Sequence, residues 1–185
     1  TTEAIKLMST GIAKNGVTSF LPTTMTMSPK DIYGALNVIR ECMEQSLNGA
    51  KVLGAHMEGP FINRIYKGAQ PEQYVIKPSY EFIKDYTDVI RLVSYAPEMD
   101  EDYSFTKDVK EKTDITLSIG HTNATYDQAK EAFSLGCSHV THLFNAMTGF
   151  THREPGVVGA TFDTDITTET ISDGIHISYP SLRIA

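Results

Sequence analysis

Three side chains with metal-ligand chemistry stand out because each comes at the predicted end of a strand: Glu58, His121 and His142. His121 ends one strand candidate and His142 lies near the end of the next, whereas Glu58 comes two strands earlier. Neighbouring parallel strands lie about 4.8 Å apart, so residues at the same height approach each other. Two histidines and one carboxylate, with an open coordination position for water, can hold a catalytic divalent metal. The trio is therefore the candidate metal site.

Two further histidines lie close to these candidates in the sequence, but we expect them to have structural roles. His139 precedes His142 by three residues, and residues three apart on a strand face opposite sides of the sheet. His56 shares a strand face with Glu58 but lies one layer deeper, which favours a core or supporting position. A single histidine at a strand end is more often structural than a ligand, so the metal assignment depends on all three members of the trio.

Short apolar stretches alternate with helical stretches along the whole chain, which is typical of an α/β protein. Six strands are predicted, at residues 16–23, 51–58, 89–96, 114–121, 138–144 and 168–176. Their connections are short helical units, and such a unit makes the two strands parallel and usually adjacent. The carboxyl ends of all six strands, and with them the trio, are then expected at one end of the sheet.

Capping residues mark two of the helices. Ser28 followed by Pro29 predicts the start of a helix that extends to about Leu47. Thr125, with Gln128 three residues later, forms a capping box. The helix that follows this box separates the two strands that carry the histidines of the trio.

Parallel strands of this number can form either a barrel or an open, doubly wound sheet. The last predicted strand favours the barrel, because its polar residues alternate with Ile171, Ile175 and Ile177. A barrel strand is expected to direct one face to a polar interior and the other to the helices. The polar face comprises Thr168, Thr170, Ser172, Gly174 and His176. Catalytic residues of such barrels lie at the carboxyl ends of the strands, where the trio is predicted.

The composition fits one globular domain and disfavours several classes of function. The chain has 185 residues, of which 41% are hydrophobic, enough for one sizeable core. A net charge of -7 without a basic patch disfavours nucleic acid as a partner, and no apolar run of about 18 to 20 residues indicates a membrane span. Cys42 and Cys137 are far apart and indicate no disulfide framework, so we expect a cytoplasmic protein. Residues 1–14 already have a helical pattern, without an initiator methionine or a signal peptide, so we expect the chain to begin within the fold.

Five segments together resemble the signature segments of the N-acetylglucosamine-6-phosphate deacetylases, a family of the amidohydrolase superfamily. They occur in the family's order and are GAHMEGPFIN at 54–63, GHTNAT at 120–125, THLFNAM at 141–147, HREPG at 152–156 and SDGIH at 172–176. The resemblance implies a partial TIM (β/α)8 barrel of about strands 2 to 7, forming a single incomplete catalytic domain over residues 1–185. The last barrel strand and a small β-sandwich domain would lie outside these residues.

The resemblance also implies site residues and partners. Glu58, His121 and His142, the residues that strand geometry selects, would hold a divalent metal, with zinc or iron expected and one or two ions per subunit left open. The implied substrate contacts are Ala69, Gln70, Asn145, Ala146, Arg153, Asp173, Gly174, Ile175 and His176. Arg153 would bind a phosphate through two hydrogen bonds, and the family resemblance implies a homodimer in which this arginine reaches the neighbouring site.

The implied reaction is hydrolysis of the acetamide of N-acetylglucosamine 6-phosphate to glucosamine 6-phosphate and acetate. It requires a metal-bound water, a base and an acid. In the family one aspartate serves as base and acid, and the resemblance places it after Ala185, so no catalytic residue is predicted in this chain and residues 1–185 alone are expected to be inactive. Gln70 stands where some relatives carry a histidine near the acetyl carbonyl, so a neutral amide would donate the hydrogen bond there.

Three alternatives stay open at this stage. An N-acetylgalactosamine-6-phosphate deacetylase would differ in the epimer of the sugar, which the sequence does not distinguish. A cyclic-amide hydrolase is disfavoured, because its substrate gives no use for a phosphate-binding Arg153. A non-catalytic sugar-phosphate-binding relative would keep the scaffold and lack the strand that carries the aspartate.

Overall fold

The structure, a computed structural model, describes all of residues 1–185 and consists of short parallel strands that alternate with helices. The strands are β1 (Ser19–Phe20), β2 (Thr23–Thr24), β3 (Lys51–Val52), β4 (Ala55–Glu58), β5 (Ile90–Tyr95), β6 (Thr116–Ile119), β7 (His139–Val140) and β8 (Thr167–Thr168). The helices are α1 (Thr2–Ala13), α2 (Pro29–Met43), α3 (Tyr80–Ile83), α4 (Ser104–Lys112), α5 (Tyr126–Ser134), α6 (Gly156–Phe162) and α7 (Tyr179–Leu182). No helix combines the length and the apolar character that crossing a lipid bilayer requires.

Six strands form one parallel sheet in the order β2-β4-β5-β6-β7-β8. β1 and β3, which directly precede β2 and β4 in the chain, form a separate parallel pair. The sheet follows chain order from one edge to the other, whereas a doubly wound sheet reverses its strand order at a switch point. The sheet is therefore the arc of a (β/α) barrel, and the predicted partial barrel is confirmed.

Five of the six predicted strands are present but shorter than expected. Pro22 has no N–H to donate and divides the stretch 16–23 into β1 and β2. Gly54, with a φ of 152°, separates β3 from β4. β7 contains only two residues, because the chain leaves the extended conformation at His142, where φ is 33°.

The prediction of a strand over residues 168–176 is wrong. The alternation of polar residues with isoleucines does not mark the two faces of a strand there. β8 has only two residues and a single neighbour, β7. Beyond it the chain turns at Asp173, whose carboxylate accepts hydrogen bonds from the backbone N–H groups of Ile175 and His176. Ile175 is 87% exposed and thus does not pack against a helix. At a sheet edge, such local bonds from an aspartate side chain compete successfully with strand pairing.

The predicted helix starts are confirmed. α2 begins after Ser28, whose hydroxyl oxygen accepts a hydrogen bond from the N–H of Asp31, and it ends at Met43, earlier than predicted. The capping box of Thr125 and Gln128 has both of its reciprocal hydrogen bonds. α5 therefore starts at the expected place between the two strands that carry the histidines.

The main apolar core lies between the helices and the sheet. Ile32, Leu36 and Ile39 share one face of α2 and are buried in it, together with strand residues such as Val93 and Leu117. Full burial of one such side chain contributes roughly 1.5–3 kcal/mol. This packing keeps the carboxyl ends of the strands at fixed relative heights.

A polar layer crosses the buried side of the sheet below the trio. His56 Nε2 is 2.6 Å from Ser94 Oγ, and Thr141 Oγ1 is 2.5 Å from Ser94 Oγ and 2.6 Å from Ser118 Oγ. Burial lowers the pKa of His56, which keeps its ring neutral among these hydroxyl groups. His56 thus occupies the supporting core position that was expected for it.

Gly59 forms the turn directly after β4. Its φ is 83°, and a Cβ atom added there would lie 2.1 Å from Thr26 Oγ1 and 3.1 Å from Gln70 Oε1. The turn therefore packs closely against the segment that follows β2, and no larger residue fits without displacing it.

We predict that Gly59→Ala lowers the free energy of unfolding by about 1–3 kcal/mol, because the new methyl group overlaps the Thr26 side chain in a left-handed backbone conformation. Gly34→Ala is a matched control, since Gly34 lies inside α2 and an added Cβ would meet nothing within 4 Å. It should raise the same free energy by about 0.5–1 kcal/mol. Urea unfolding measures both changes, and changes of the same sign would contradict the close packing at Gly59.

Candidate metal centre

Three side chains from the carboxyl ends of three strands converge at one point. Glu58 is the last residue of β4, and His121 and His142 each follow the last residue of their strand, β6 and β7, by two positions. One ligand atom from each lies within 4.8 Å of the other two. His121 Nε2 is 2.9 Å from Glu58 Oε1 and 3.1 Å from His142 Nε2. The structure thus brings together the three residues that strand position selects.

Both histidines have left-handed backbone conformations, with φ values of 49° at His121 and 33° at His142. Each such conformation costs a non-glycine residue roughly 1–2 kcal/mol. Sheet hydrogen bonds directly before the histidines hold the chain in place, since the N–H of Gly120 donates to β5 and that of Thr141 donates to β6. Strain of this kind concentrates at functional sites. Here the two left-handed residues turn the chain away from the sheet at the point where their imidazoles meet Glu58.

Backbone carbonyl groups hold the Nδ1 atoms of both imidazoles. His121 Nδ1 is 2.8 Å from the Tyr66 oxygen, and His142 Nδ1 is 3.1 Å from the Asn145 oxygen. A carbonyl oxygen can only accept, so each Nδ1 carries a proton and donates it. In the neutral ring, Nε2 is then left with a lone pair directed into the cluster. Carbonyl contacts of this kind orient histidine ligands in metal sites.

Electron-pair donors that face one another at these distances require a cation between them. The two Nε2 atoms and the Glu58 carboxylate repel each other unless a proton or a metal ion lies among them. Two imidazole nitrogens and one carboxylate oxygen suit zinc, iron and related divalent ions. The donor set therefore fits a divalent metal and leaves at least one coordination position for water.

The charges in the cluster are linked. Burial by itself would raise the pKa of the Glu58 carboxyl, but hydrogen bonds from the His121 and His142 rings, formed when a proton lies between ring and carboxylate, outweigh it and hold that pKa well below its ordinary value. Burial lowers the pKa of His142, but the hydrogen bond to Glu58 and its negative charge outweigh burial and raise it. Glu58 is thus ionised, and a proton on His142 competes with a metal ion for the same place.

Gln70 is the fourth polar side chain at the centre. Its Oε1 accepts a 2.7 Å hydrogen bond from the N–H of Thr26, which settles the orientation of the amide. Its Nε2 lies 3.3 Å from Glu58 Oε1 and 3.2 Å from His121 Nε2. The amide NH2 group therefore faces the trio, and because Gln70 is only 4% exposed, the protein and not the solvent directs it. Ala69, its neighbour, is exposed.

Asn145 and Ala146 lie in the loop directly after His142. The N–H of Asn145 donates to the carbonyl of His142, so this amide is already used within the loop. The carbonyl of Ala146 accepts a hydrogen bond from the N–H of Thr122, which joins this loop to the one after His121. Both predicted contact residues therefore also fix the geometry of the centre.

Arg153 and the turn at residues 173–176 are not joined to the trio by any hydrogen bond or ion pair. Arg153 is exposed and has no such partner within the chain. In the turn, backbone hydrogen bonds from His176 and Ile175 lower the pKa of Asp173 to about 2, and Asp173 Oδ2 lies 2.7 Å from His176 Nδ1. Gly174 has a φ of 75°. The turn is internally fixed but exposed to solvent.

His139 lies outside the cluster, in agreement with the structural role expected for it. Its Nδ1 is 2.6 Å from Thr167 Oγ1, and its Nε2 is 3.7 Å from Glu169 Oε2. Only Glu58, His121 and His142 make up the group of potential ligands. No aspartate belongs to it.

Three residues whose hydrogen bonds connect the loops around the trio were not predicted: Asn63, Tyr66 and Glu98. Tyr66 acts through its backbone carbonyl, which leaves no signal in the sequence of side chains. Glu98 follows β5 by three positions, so the strand-end rule that selected the trio applies to it as well. β5 carries no histidine, so its end lacks the residue type that marks the ends of β6 and β7 in the sequence.

Comparison with known proteins agrees with this geometry. The Amidohydrolase family model matches residues 1–185. The chain is 40% identical over 184 residues to the N-acetylglucosamine-6-phosphate deacetylase of Bacillus subtilis (strain 168), covering 95% of this chain and 46% of that protein. A protein of the same description from Haemophilus influenzae is also 40% identical, with 98% and 48% covered.

Among solved structures, the chain is similar to the N-acetylglucosamine-6-phosphate deacetylase from Thermotoga maritima, with a TM-score of 0.86 and 30% identity over 96% of this chain and 48% of that one. The corresponding protein from Pasteurella multocida gives a TM-score of 0.79 and 38% identity over 90% and 44%. The chain spans about half the length of the relatives it matches. Because the family match covers every residue and solved relatives share the same barrel arc, the chain belongs to the amidohydrolase family, whose members are metal-dependent.

Proposed function

We propose that the whole protein hydrolyses the acetamide of N-acetylglucosamine 6-phosphate to glucosamine 6-phosphate and acetate, and that residues 1–185 form one incomplete catalytic barrel domain of it. The observation that carries this proposal is the convergence of two Nε2 lone pairs and one carboxylate at the carboxyl end of the barrel arc. Relatives that match nearly the whole chain at up to 40% identity are deacetylases of this description, which supports the assignment.

Glu58, His121 and His142 are assigned as the ligands of a divalent metal, for which zinc and iron are both suitable. When bound, such an ion lowers the pKa of its water and polarises the acetamide carbonyl. The proposal is compatible with one or two ions per subunit. The tautomers set by Tyr66 and Asn145 prepare both imidazoles for this role before any ion arrives.

Gln70 is assigned as the hydrogen-bond donor to the oxyanion that forms during hydrolysis. Because Thr26 occupies its Oε1, only the NH2 group is presented to the centre. The NH2 group lies 3.3 Å from Glu58 Oε1 and 3.2 Å from His121 Nε2, beside the atoms assigned to the metal. A preorganised donor of this type stabilises developing negative charge without rearrangement during the reaction. Ala69 is assigned to the substrate contacts beside it.

The proton-transfer base is assigned to an aspartate outside residues 1–185, as the family resemblance implies. Residues 1–185 would then bind metal and substrate but lack the group that moves the proton, so this chain alone is expected to be inactive.

The phosphate of the substrate is assigned to Arg153, with Asn145, Ala146 and the turn at residues 173–176 as further contacts. The guanidinium group of Arg153 has no partner in the chain, which leaves its forked donors available for a phosphate. A homodimer in which Arg153 serves the neighbouring site, as the family resemblance implies, is part of the proposal.

His142→Ala is predicted to remove most of the bound metal, because it deletes one of three ligands, whereas His139→Ala should retain it. Elemental analysis of the two purified full-length variants gives the metal content per subunit. His139 is the matched control, since it lies three residues away and bonds to Thr167 instead of to the cluster. Equal loss of metal in both variants would contradict the ligand assignment.

Arg153→Ala is predicted to reduce kcat/KM for N-acetylglucosamine 6-phosphate by about 10- to 100-fold, because hydrogen bonds to charged groups contribute roughly 1.5–3 kcal/mol. Activity towards unphosphorylated N-acetylglucosamine should be low and unchanged by the substitution. Acetate release by the full-length enzyme measures both substrates. Equal turnover of the two sugars by the unaltered enzyme would contradict the phosphate assignment.

A further inference from the structure

Glu98 lies just beyond the carboxyl end of β5. This strand lies between β4 and β6 in the sheet and supplies no member of the trio. Glu98 belongs to a single turn of 3-10 helix, Pro97–Met99, and its side chain is partly buried. Because β5 is hydrogen-bonded to both neighbouring strands, Glu98 stands between the loop that follows Glu58 and the loop that contains His121.

The Glu98 carboxylate accepts three hydrogen bonds from these two loops. Oε1 accepts from the side-chain amide of Asn63 at 2.9 Å and from the backbone N–H of Asn123 at 2.5 Å. Oε2 accepts from the hydroxyl of Thr122 at 2.5 Å. One carboxylate therefore joins the segment after β4 to the segment after β6.

Asn63 transmits this connection to His121 in two ways. Its backbone N–H donates to the carbonyl of His121 at 2.9 Å. Its side-chain oxygen accepts from the N–H of Ile65 at 2.9 Å and so caps the short helical turn that contains Tyr66. The carbonyl of Tyr66 is the acceptor for His121 Nδ1. The residue that Glu98 orients thus holds the backbone of His121 through its own N–H, and through its side chain it holds the turn whose carbonyl sets the tautomer of His121.

We propose that Glu98 is a positioning residue for the metal centre: it fixes the loops after β4 and β6 so that His121 Nε2 meets the Glu58 carboxylate. This role rests on the proposed function, since it concerns metal binding by the same trio. It requires a carboxylate because both of its oxygens accept here: one from two N–H groups, the other from the Thr122 hydroxyl, which itself accepts from the N–H of Ala124. In Glu98→Gln, an NH2 group replaces one oxygen and leaves at least one donor without its acceptor.

The test is the affinity of the full-length protein for Zn²⁺, measured by competition with a chelator of known affinity. Glu98→Gln is expected to weaken binding by about 10- to 100-fold, the range found when the groups that orient metal ligands are altered. Glu101→Gln is the matched control. It removes a carboxylate three residues away that is 77% exposed and pairs with Lys77, and its affinity should equal that of the unaltered protein.

A second variant and a second readout separate positioning from loss of stability. Asn63→Ala should weaken Zn²⁺ binding as well. In the Glu98→Gln/Asn63→Ala double variant, the loss of binding free energy should be smaller than the sum of the two single losses, because both residues act through one network. In Co²⁺-loaded protein, the visible absorption spectrum reports the ligand geometry and should change in Glu98→Gln but not in Glu101→Gln. Far-UV circular dichroism establishes that each variant is folded.

Two results would overturn the proposal. One is that the unaltered protein binds metal and folded Glu98→Gln has the same Zn²⁺ affinity and the same Co²⁺ spectrum. The proposed function would then stand without a role for Glu98. The other is failure of the unaltered protein to bind Zn²⁺ or Co²⁺, which would remove the metal centre and the role of Glu98 together.

Discussion

Two hydrogen bonds from imidazole to backbone determine the chemistry of this site. The carbonyl groups of Tyr66 and Asn145 accept from the Nδ1 atoms of His121 and His142, and a carbonyl can never donate in return. As long as these bonds hold, neither neutral ring can adopt the other tautomer. Both Nε2 lone pairs and the Glu58 carboxylate then share a small volume that a cation must fill. The proposed metal binding therefore depends on backbone geometry as much as on the choice of ligands.

The barrel arc makes this geometry possible. Parallel strands in chain order bring their carboxyl ends to one height, and the packed core behind them keeps that height fixed. The left-handed conformations of His121 and His142 are locally unfavourable, but hydrogen bonds to the neighbouring strands hold both. β5 supplies no ligand, yet Glu98 at its end connects the loops on either side. Each strand of the arc from β4 to β7 thus contributes either a member of the trio or a residue that connects the loops around it.

The parts of the site that depend on strand position could be predicted from the sequence, because parallel strands place their ends together whatever the loops do. The trio and the position of α5 follow from that rule and from the capping box. Contacts made by backbone carbonyls and between distant loops could not be predicted, which is why Tyr66 and Asn63 were missed. The prediction of the last strand failed for another reason. Alternation at residues 168–176 indicated a strand, but local hydrogen bonds to the Asp173 side chain form a turn there, at the edge of the sheet.

The most direct test of the central claim is nitrogen-15 NMR of the histidine side chains in Zn²⁺-loaded full-length protein, with assignments from His121→Asn and His142→Asn variants. The account predicts that both rings carry their proton on Nδ1 and that both Nε2 resonances are shifted by the metal. Either ring protonated at Nε2 in the loaded protein would contradict it.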